Sequence, residues 1–318
     1  TKWAARHHRL VTAAALCLLM TGIGLAISTW IAQQNATQAK DALKDARERS
    51  ADLWDSLDQA FSKVFEKLKW VPGSESTRLE LCEYLLTKYR KLLNESRKDP
   101  TARAEVAVTL TRLGILSREL GNLQGAERDL REANELGQAL AKQSPAELKL
   151  QKQLAITLHE LGRVLALKGD TRGAESAMSS AVDKAELLFG AHPDSEELIA
   201  HLTRFRNDLA LLLADTGRRA QAERLFDRTR SDLVAFIDHS PGAVELKSLL
   251  AVTYNNLCSV VSADDPAAAA KLYERSLDVQ RDLLSVGDQR TRPNAQMAVT
   301  YSNLGKVLRR SGQPQKAS

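Results

Sequence analysis

Residues 161–193 read LGRVLALKGDTRGAESAMSSAVDKAELLFGAHP, and the spacing within this stretch recurs along the chain. A leucine precedes the small residue Gly162; a glycine follows Gly162 by seven residues, an alanine by twelve and a large apolar residue by sixteen. The first pair recurs at intervals of 48, 48, 48 and 47 residues: Leu113-Gly114, Leu161-Gly162, Leu209-Ala210, Leu257-Cys258 and Leu304-Gly305. Self-similarity at a fixed interval of roughly 20 to 50 residues is typical of solenoids, in which each repeat is one supersecondary unit.

Each unit is predicted to be a hairpin of two helices, which we name A and B. A glycine that follows the small residue by seven positions suits the left-handed backbone that closes helix A. It is present in four units: Gly121, Gly169, Gly217 and Gly312. The fourth unit has Ser262-Ala263-Asp264-Asp265-Pro266 instead and is one residue shorter. Small residues at the point where helices A and B cross allow the two helices to approach closely. Stacked hairpins bury the apolar stripes of their helices, which one hairpin cannot bury alone. The predicted fold is therefore all-α.

This order of small and large residues resembles the tetratricopeptide repeat over about residues 101–318, as four full units and a truncated fifth. The interval of 48 residues exceeds the usual 34, so we expect each helix to be about two turns longer. The chain begins at Thr1 and ends inside the fifth unit, so we expect it to come from a longer polypeptide.

The resemblance implies that the A helices line a groove that binds peptides. Groove positions fall three residues before, and one and four residues after, the small residue of each unit. The candidates chosen among these positions are Thr111, Arg118, His159, Arg163, Asn207, Asn255, Ser302, Lys306 and Arg309. The cations among them suit acidic side chains or a terminal carboxylate. The alternative is an ordinary solvated face.

An uncharged stretch near the N-terminus, residues 10–32, has 23 residues. As a helix it reaches about 34 Å, which is enough to cross a hydrocarbon core of about 30 Å. Basic residues precede it, so the positive-inside rule predicts a cytoplasmic flank at residues 1–9 and extracytoplasmic repeats. The predicted protein is thus single-pass and contacts the lipid bilayer through residues 10–32. The alternative is a signal peptide cleaved near Ala26-Ile27-Ser28.

Residues 33–100 are predicted to be membrane-proximal helices. Apolar or small residues alternate at spacings of three and four over residues 33–70, which is the rhythm of a coiled coil. Two interpretations are open: a coiled coil that forms a homodimer, and a helix that packs its stripe on the domain behind it. A second helix is predicted over about residues 77–96.

Short motifs in this half carry a second resemblance. In order they are Lys2-Trp3, Val71-Pro72-Gly73, Arg78-Leu79-Glu80-Leu81, Asp99-Pro100 and Arg103-Ala104-Glu105. The arrangement resembles the C-terminal half of bacterial transmembrane serine/threonine protein kinases, in which a kinase domain precedes the span and tetratricopeptide repeats follow it. The resemblance implies a sensor or scaffold for signalling, with ATP and Mg²⁺ as cofactors only of an upstream kinase domain. The alternative is an anchored scaffold with no kinase attached.

The residues themselves indicate no chemistry. The 45 basic and 40 acidic residues are mixed, which does not favour nucleic-acid binding. Three cysteines without a C-x-x-C pair support neither a disulfide framework nor a zinc site. The phosphate-binding and kinase motifs G-x-x-x-x-G-K, H-R-D and D-F-G do not occur. We therefore predict no catalytic, cofactor-binding or metal-binding residue, and assign the function to a surface that binds proteins.

Overall fold

The computed structural model describes residues 73–96, 103–261, 265–285 and 293–310, together with residues 30, 33–38, 41–42 and 45. The chain divides into two compact units, Thr1–Glu66 and Lys67–Ser318. The few described residues of the first unit are helical, and the second unit contains ten helices in the ranges given. No β-strand occurs among the described residues.

The ten helices follow one another in the order that the repeat predicts. They are α1 (Glu75–Ser96), α2 (Arg103–Glu119), α3 (Leu123–Gln143), α4 (Leu148–Leu167), α5 (Thr171–Ala191), α6 (Glu196–Asp215), α7 (Arg219–His239), α8 (Val244–Val261), α9 (Pro266–Ser285) and α10 (Pro293–Arg310). Helices α2, α4, α6, α8 and α10 are the A helices, and α3, α5, α7 and α9 are the B helices. The predicted all-helical stack of hairpins is confirmed.

The turn inside each of the first three hairpins depends on a left-handed glycine. Gly121, Gly169 and Gly217 have φ angles of 77°, 84° and 82°. The residue after each glycine donates its backbone N–H to a carbonyl of the preceding A helix, as Asp170 does to Leu165 at 2.9 Å. The Asp170 side chain then accepts the N–H of Gly173 and caps helix B. A four-residue sequence therefore ends one helix and starts the next.

Close packing at the crossing of helices A and B explains the small residue. A Cβ atom on Gly162 would lie 2.5 Å from Met178 Cγ, a distance that real Cβ atoms do not tolerate. The large residues at the position of Met178 are all buried: Leu130, Met178, Phe226 and Tyr273. Each of them packs in the space that the small residue leaves.

The predicted membrane location needs correction. No helix in the described ranges combines the length and the apolar character needed to cross a bilayer. Spanning takes about 20 predominantly apolar residues, whereas α4, for example, contains the four charged residues Lys149, Lys152, Glu160 and Arg163. The prediction of a single-pass membrane protein with extracytoplasmic repeats therefore has no support in the described residues. The stretch predicted to span, residues 10–32, lies outside them except for Trp30.

Most of the predicted coiled-coil segment also lies outside the described residues, which include only 33–38, 41–42 and 45 of the range 33–70. The second predicted helix is present as α1, and it begins two residues earlier than expected, at Glu75. Helix α1 packs against α2, so it belongs to the second unit together with the repeats.

Candidate functional site

The A helices of successive hairpins contact one another directly. Helix α4 contacts α2 and α6, and α6 contacts α8, while each B helix packs on its own A helix and on the next. The side of the stack formed by α2, α4, α6, α8 and α10 is called here the A-helix face. Because its helices touch, one elongated ligand is able to contact several repeats at once.

Side-chain contacts, called rungs here, join neighbouring A helices, and most of them are polar. Each rung joins two residues on adjacent A helices. The first lies three positions before the small residue of its own unit, and the second lies five positions before the small residue of the next unit. Three rungs are hydrogen bonds: Thr111 with Thr157 (2.8 Å), Asn207 with Thr253 (3.0 Å) and Asn255 with Thr300 (2.9 Å). At the remaining rung the His159 ring stacks on Phe205, with centroids 4.3 Å apart. The polar column predicted to face a ligand thus bonds within the protein, and Thr111, His159 and Asn207 are buried.

A charged cluster spans α2, α4 and α6, with Glu160 at its centre. Arg118 Nη2 lies 3.3 Å from Glu160 Oε2, and Arg163 Nη1 lies 3.2 Å from Glu160 Oε1. Burial alone would raise the pKa of Glu160, but His159, Arg163 and Arg118 together lower that pKa to about 2. Glu160 is therefore a carboxylate at any physiological pH.

His159 extends the same cluster to α6. Its Nε2 lies 2.9 Å from Asp208 Oδ2, and Arg163 Nε lies 3.5 Å from that oxygen. Burial would lower the pKa of His159, but the hydrogen bonds with Asp208 and Glu160 and the charges of these carboxylates raise it. The His159 imidazole and the guanidinium groups of Arg118 and Arg163 thus face the carboxylates of Glu160 and Asp208 across three A helices.

The four predicted groove cations fall into two separate sets. Arg118 and Arg163 are paired within the charged cluster, and the Arg118 side chain is only 10% exposed. Lys306 and Arg309 are exposed on α10, as is Ser302. The structure therefore brings Arg118, Arg163 and His159 together and places the α10 residues at the other end of the A-helix face.

Sequence reasoning missed Glu160 and Asp208, which carry the negative charge of the cluster. Both lie two positions before the small residue of their units, and the same 48-residue register would have found them. It also missed Arg206, four positions before the small residue, where other units have a buried leucine or tyrosine: Leu110, Leu158 and Tyr254. A single charge in an apolar column was the available signal.

Arg206 is 2% exposed and is held by carboxylates of two B helices. Its Nε and Nη2 donate to Glu186 Oε1 at 3.1 and 2.7 Å, and its Nη1 donates to Asp232 Oδ2 at 2.6 Å. A cavity of about 530 Å³ adjoins this ion triad.

Neither metal binding nor thiol chemistry is indicated by the described residues. Histidine, cysteine and carboxylate side chains in the described ranges form no group of three that suits a metal ion. Burial raises the pKa of the Cys258 thiol, whose sulfur donates to the Ala269 carbonyl. This thiol packs at a helix crossing and stays protonated.

Comparison with protein families gives one match, the tetratricopeptide repeat, over residues 106–143. These residues cover most of α2 and all of α3, which form the first hairpin. The chain is a solenoid of tetratricopeptide-like repeats. Solenoids of this type are suited to protein–protein interaction. A comparison with curated protein sequences gives no match.

Comparison with solved structures gives further alignments. BtubC (BKLC) from P. vanneervenii aligns with a TM-score of 0.55 and 20% identity, over 77% of this chain and 87% of that chain. A putative kinesin light chain from Podosopora anserina with TPR-like repeats aligns at a TM-score of 0.44 and 16% identity, over 71% and 96% of the two chains. The apo form of RapI aligns with a TM-score of 0.45 and 13% identity, over 81% of this chain and 73% of that chain. At 20% identity the likeness to BtubC is one of fold alone.

Proposed function

We propose that this solenoid is a scaffold that binds a segment of a partner protein along the A-helix face. The observation that carries the proposal is the chain of polar rungs, which joins successive A helices into one surface. A segment lying across that surface is able to contact several repeats, and each added contact increases affinity without further loss of translational freedom.

The position one residue after the small residue is accessible along this face. Ile115, Arg163 and Leu211 are half-buried there, and Ser259 and Lys306 are exposed. In this proposal the buried candidates Thr111, His159 and Asn207 hold the A helices together, and the partner contacts the accessible ones. The exposed Lys306 and Arg309 favour an acidic segment or a terminal carboxylate.

Site-specific photocrosslinking tests the binding face. A benzophenone amino acid at Ser259 or Lys306 is expected to capture a partner in cells that express the chain. The same group at Ala139, an exposed residue of the B helix α3, is the control. Capture at Ala139 without capture at Ser259 or Lys306 would exclude the A-helix face.

A pair of charge reversals tests the acidic partner. Lys306→Glu with Arg309→Glu is expected to reduce capture of that partner at least tenfold, since two favourable ion pairs become repulsive. Arg219→Glu with Arg224→Glu changes the net charge equally on exposed positions of α7, and is expected to leave capture unchanged. Equal losses in both variants would indicate only general electrostatic attraction.

The attachment of this scaffold to a serine/threonine protein kinase stays a prediction. Its support is the order of short motifs before the repeats, from Val71-Pro72-Gly73 to Arg103-Ala104-Glu105. Reading the coding sequence upstream of Thr1 tests it. A Gly-rich loop, H-R-D and D-F-G in that sequence would establish the kinase, with ATP and Mg²⁺ as its cofactors. An upstream coding sequence that lacks these motifs would favour a scaffold with no kinase attached.

Self-association through residues 33–70 also stays a prediction. Its support is the three-and-four spacing of apolar residues in that segment. Sedimentation equilibrium of the full chain, and of a variant with charged residues at Leu53 and Leu57, tests it. A dimer that becomes a monomer in the variant supports the coiled coil, and equal masses exclude it.

A further inference from the structure

A cavity of about 530 Å³ lies between the two B helices α5 and α7. Its floor is formed by Leu202 and Arg206 of the A helix α6, and its walls include Phe189 of α5 and Phe236 of α7. These two rings lie 6.4 Å apart between centroids and are tilted by 41°. The cavity is therefore on the side of the stack away from the A-helix face, and has both an apolar and an ionic lining.

The ionic part is particular to this junction between hairpins. One hairpin earlier in the sequence, the residues at the positions of Arg206, Glu186 and Asp232 are Leu158, Gln138 and Lys184. A buried guanidinium stabilises the fold less than a well-packed leucine unless carboxylates fully compensate it. Stacking of the hairpins thus does not need Arg206, since the neighbouring junction stacks with a leucine.

Each carboxylate of the triad uses only one oxygen to hold Arg206. Glu186 accepts through Oε1, which also receives Arg228 Nη1 at 3.1 Å, and Asp232 accepts through Oδ2. Within the described part of the chain, Glu186 Oε2 and Asp232 Oδ1 accept no hydrogen bond and are not among the buried, unsatisfied atoms. The buried Arg206 therefore fixes two carboxylates whose outer oxygens remain open to a guest.

The charge around the cavity favours a cation. Three carboxylates line it, from Glu186, Asp194 and Asp232, against the two guanidinium groups of Arg206 and Arg228. Helices α5 and α7 also end at the cavity, and helix C-termini carry a partial negative charge. The two phenyl rings also line the cavity, and their apolar area suits the methylene stem of a long side chain.

We propose that this cavity is a docking site for an arginine or lysine side chain of a partner protein. The cationic head lies beside Glu186 Oε2 and Asp232 Oδ1, and the stem packs against Phe189 and Phe236. This site goes beyond the proposed function, because it lies between B helices and is independent of the A-helix face. Crosslinking at Ser259 and binding at this cavity are therefore able to fail separately.

Titration of the deuterated, ¹⁵N-labelled chain with blocked pentapeptides, followed by amide NMR, tests the site. The probes are acetyl-Gly-Gly-X-Gly-Gly-amide with arginine, lysine or glutamate at X. Arginine and lysine peptides are expected to shift the amides of Ala235 and Phe236 saturably, with a dissociation constant on the order of a millimolar. The glutamate peptide is expected to leave these amides unshifted.

Gly190 allows the cavity to be blocked without disturbing Arg206. It lines the cavity within α5, and a Cβ atom there would meet nothing within 4 Å, so substitutions are accommodated. Gly190→Lys places a competing ammonium in the cavity and is expected to weaken the arginine peptide at least tenfold. Ala139→Lys, which adds the same charge on an exposed position of α3 away from the cavity, is the control and is expected to bind as the parent does.

Four results would overturn the proposal. The first three are the absence of saturable shifts with either cationic peptide, equal shifts with the glutamate peptide, and unchanged affinity in Gly190→Lys. A loss in Ala139→Lys equal to that in Gly190→Lys would also overturn it, because attraction to the whole surface would then explain the binding.

Discussion

Helices A and B of the second hairpin cross at Gly162, and valine there is expected to destabilise the solenoid. A Cβ atom at this position would lie 2.5 Å from Met178 Cγ, 3.1 Å from the Ala174 carbonyl oxygen and 3.2 Å from the Met178 backbone nitrogen. The Met178 side chain is flexible and is able to move, but the two backbone atoms move only if helix α5 moves with them. The helices must therefore separate to admit a side chain.

The magnitude follows from two opposing terms. Overpacking a well-packed core costs about 1–3 kcal/mol. Valine has the better helix propensity by about 0.4 kcal/mol, since glycine loses more backbone entropy. The net effect of Gly162→Val is then a loss of about 2 kcal/mol in the free energy of unfolding.

Urea unfolding followed by far-ultraviolet circular dichroism measures this loss. Gly190→Val is the matched control, because Gly190 is also helical but a Cβ atom there meets no atom within 4 Å. The control is expected to be as stable as the parent or more stable by about 0.4 kcal/mol. If Gly162→Val unfolds at the parental urea concentration, close helix approach is not what requires glycine at the crossing.

Two further predictions concern buried charges. Because the pKa of His159 is raised, this residue contributes stability that is fully present below pH 6.5, the ordinary histidine pKa, and is lost as the pH rises through the folded-state pKa. The urea midpoint is expected to fall over that pH range in the parent and to stay level in His159→Gln. Replacing Arg206 with leucine is expected to change stability by less than about 1 kcal/mol, because its carboxylate partners are partly exposed and regain water. The double variant Glu186→Ala with Asp232→Ala is expected to lose about 3 kcal/mol in the free energy of unfolding, since it leaves the buried guanidinium without partners. Thermal unfolding distinguishes this variant from Arg206→Leu, and equal losses in the two would contradict the expectation that only the unpaired guanidinium is costly.

The local parts of the fold were predictable because their causes lie close together in the sequence. A left-handed turn at Gly169, a cap at Asp170 and a small residue at Gly162 fall within nine residues of one another. Each acts on its own hairpin, and repetition of the same hairpin predicts the stack. The expected location in a membrane was wrong by contrast, since no helix among the described residues is long and apolar enough to cross a bilayer.

The candidate site was less predictable because burial depends on residues from neighbouring repeats. The position of Asn207 was correctly assigned to the A helix, but its hydrogen-bond partner, Thr253, is 46 residues away. Nothing in the spacing indicates whether such an amide faces a ligand or the next helix. The charges of Glu160 and Asp208 were visible in the sequence, but their pairing with Arg118 and Arg163 required the distance between three helices.

By itself, the amino-acid sequence determined that this protein is a stack of helical hairpins, because turn, crossing and packing residues recur at a constant interval and act over a few residues. Only the tertiary structure decided which polar residues are free to meet a partner. The residues predicted to line a groove form contacts between neighbouring A helices, and Arg206 lies beneath a cavity between two B helices. The physical reason is that exposure and charge compensation are properties of helix pairs, and each such pair joins residues about one repeat apart.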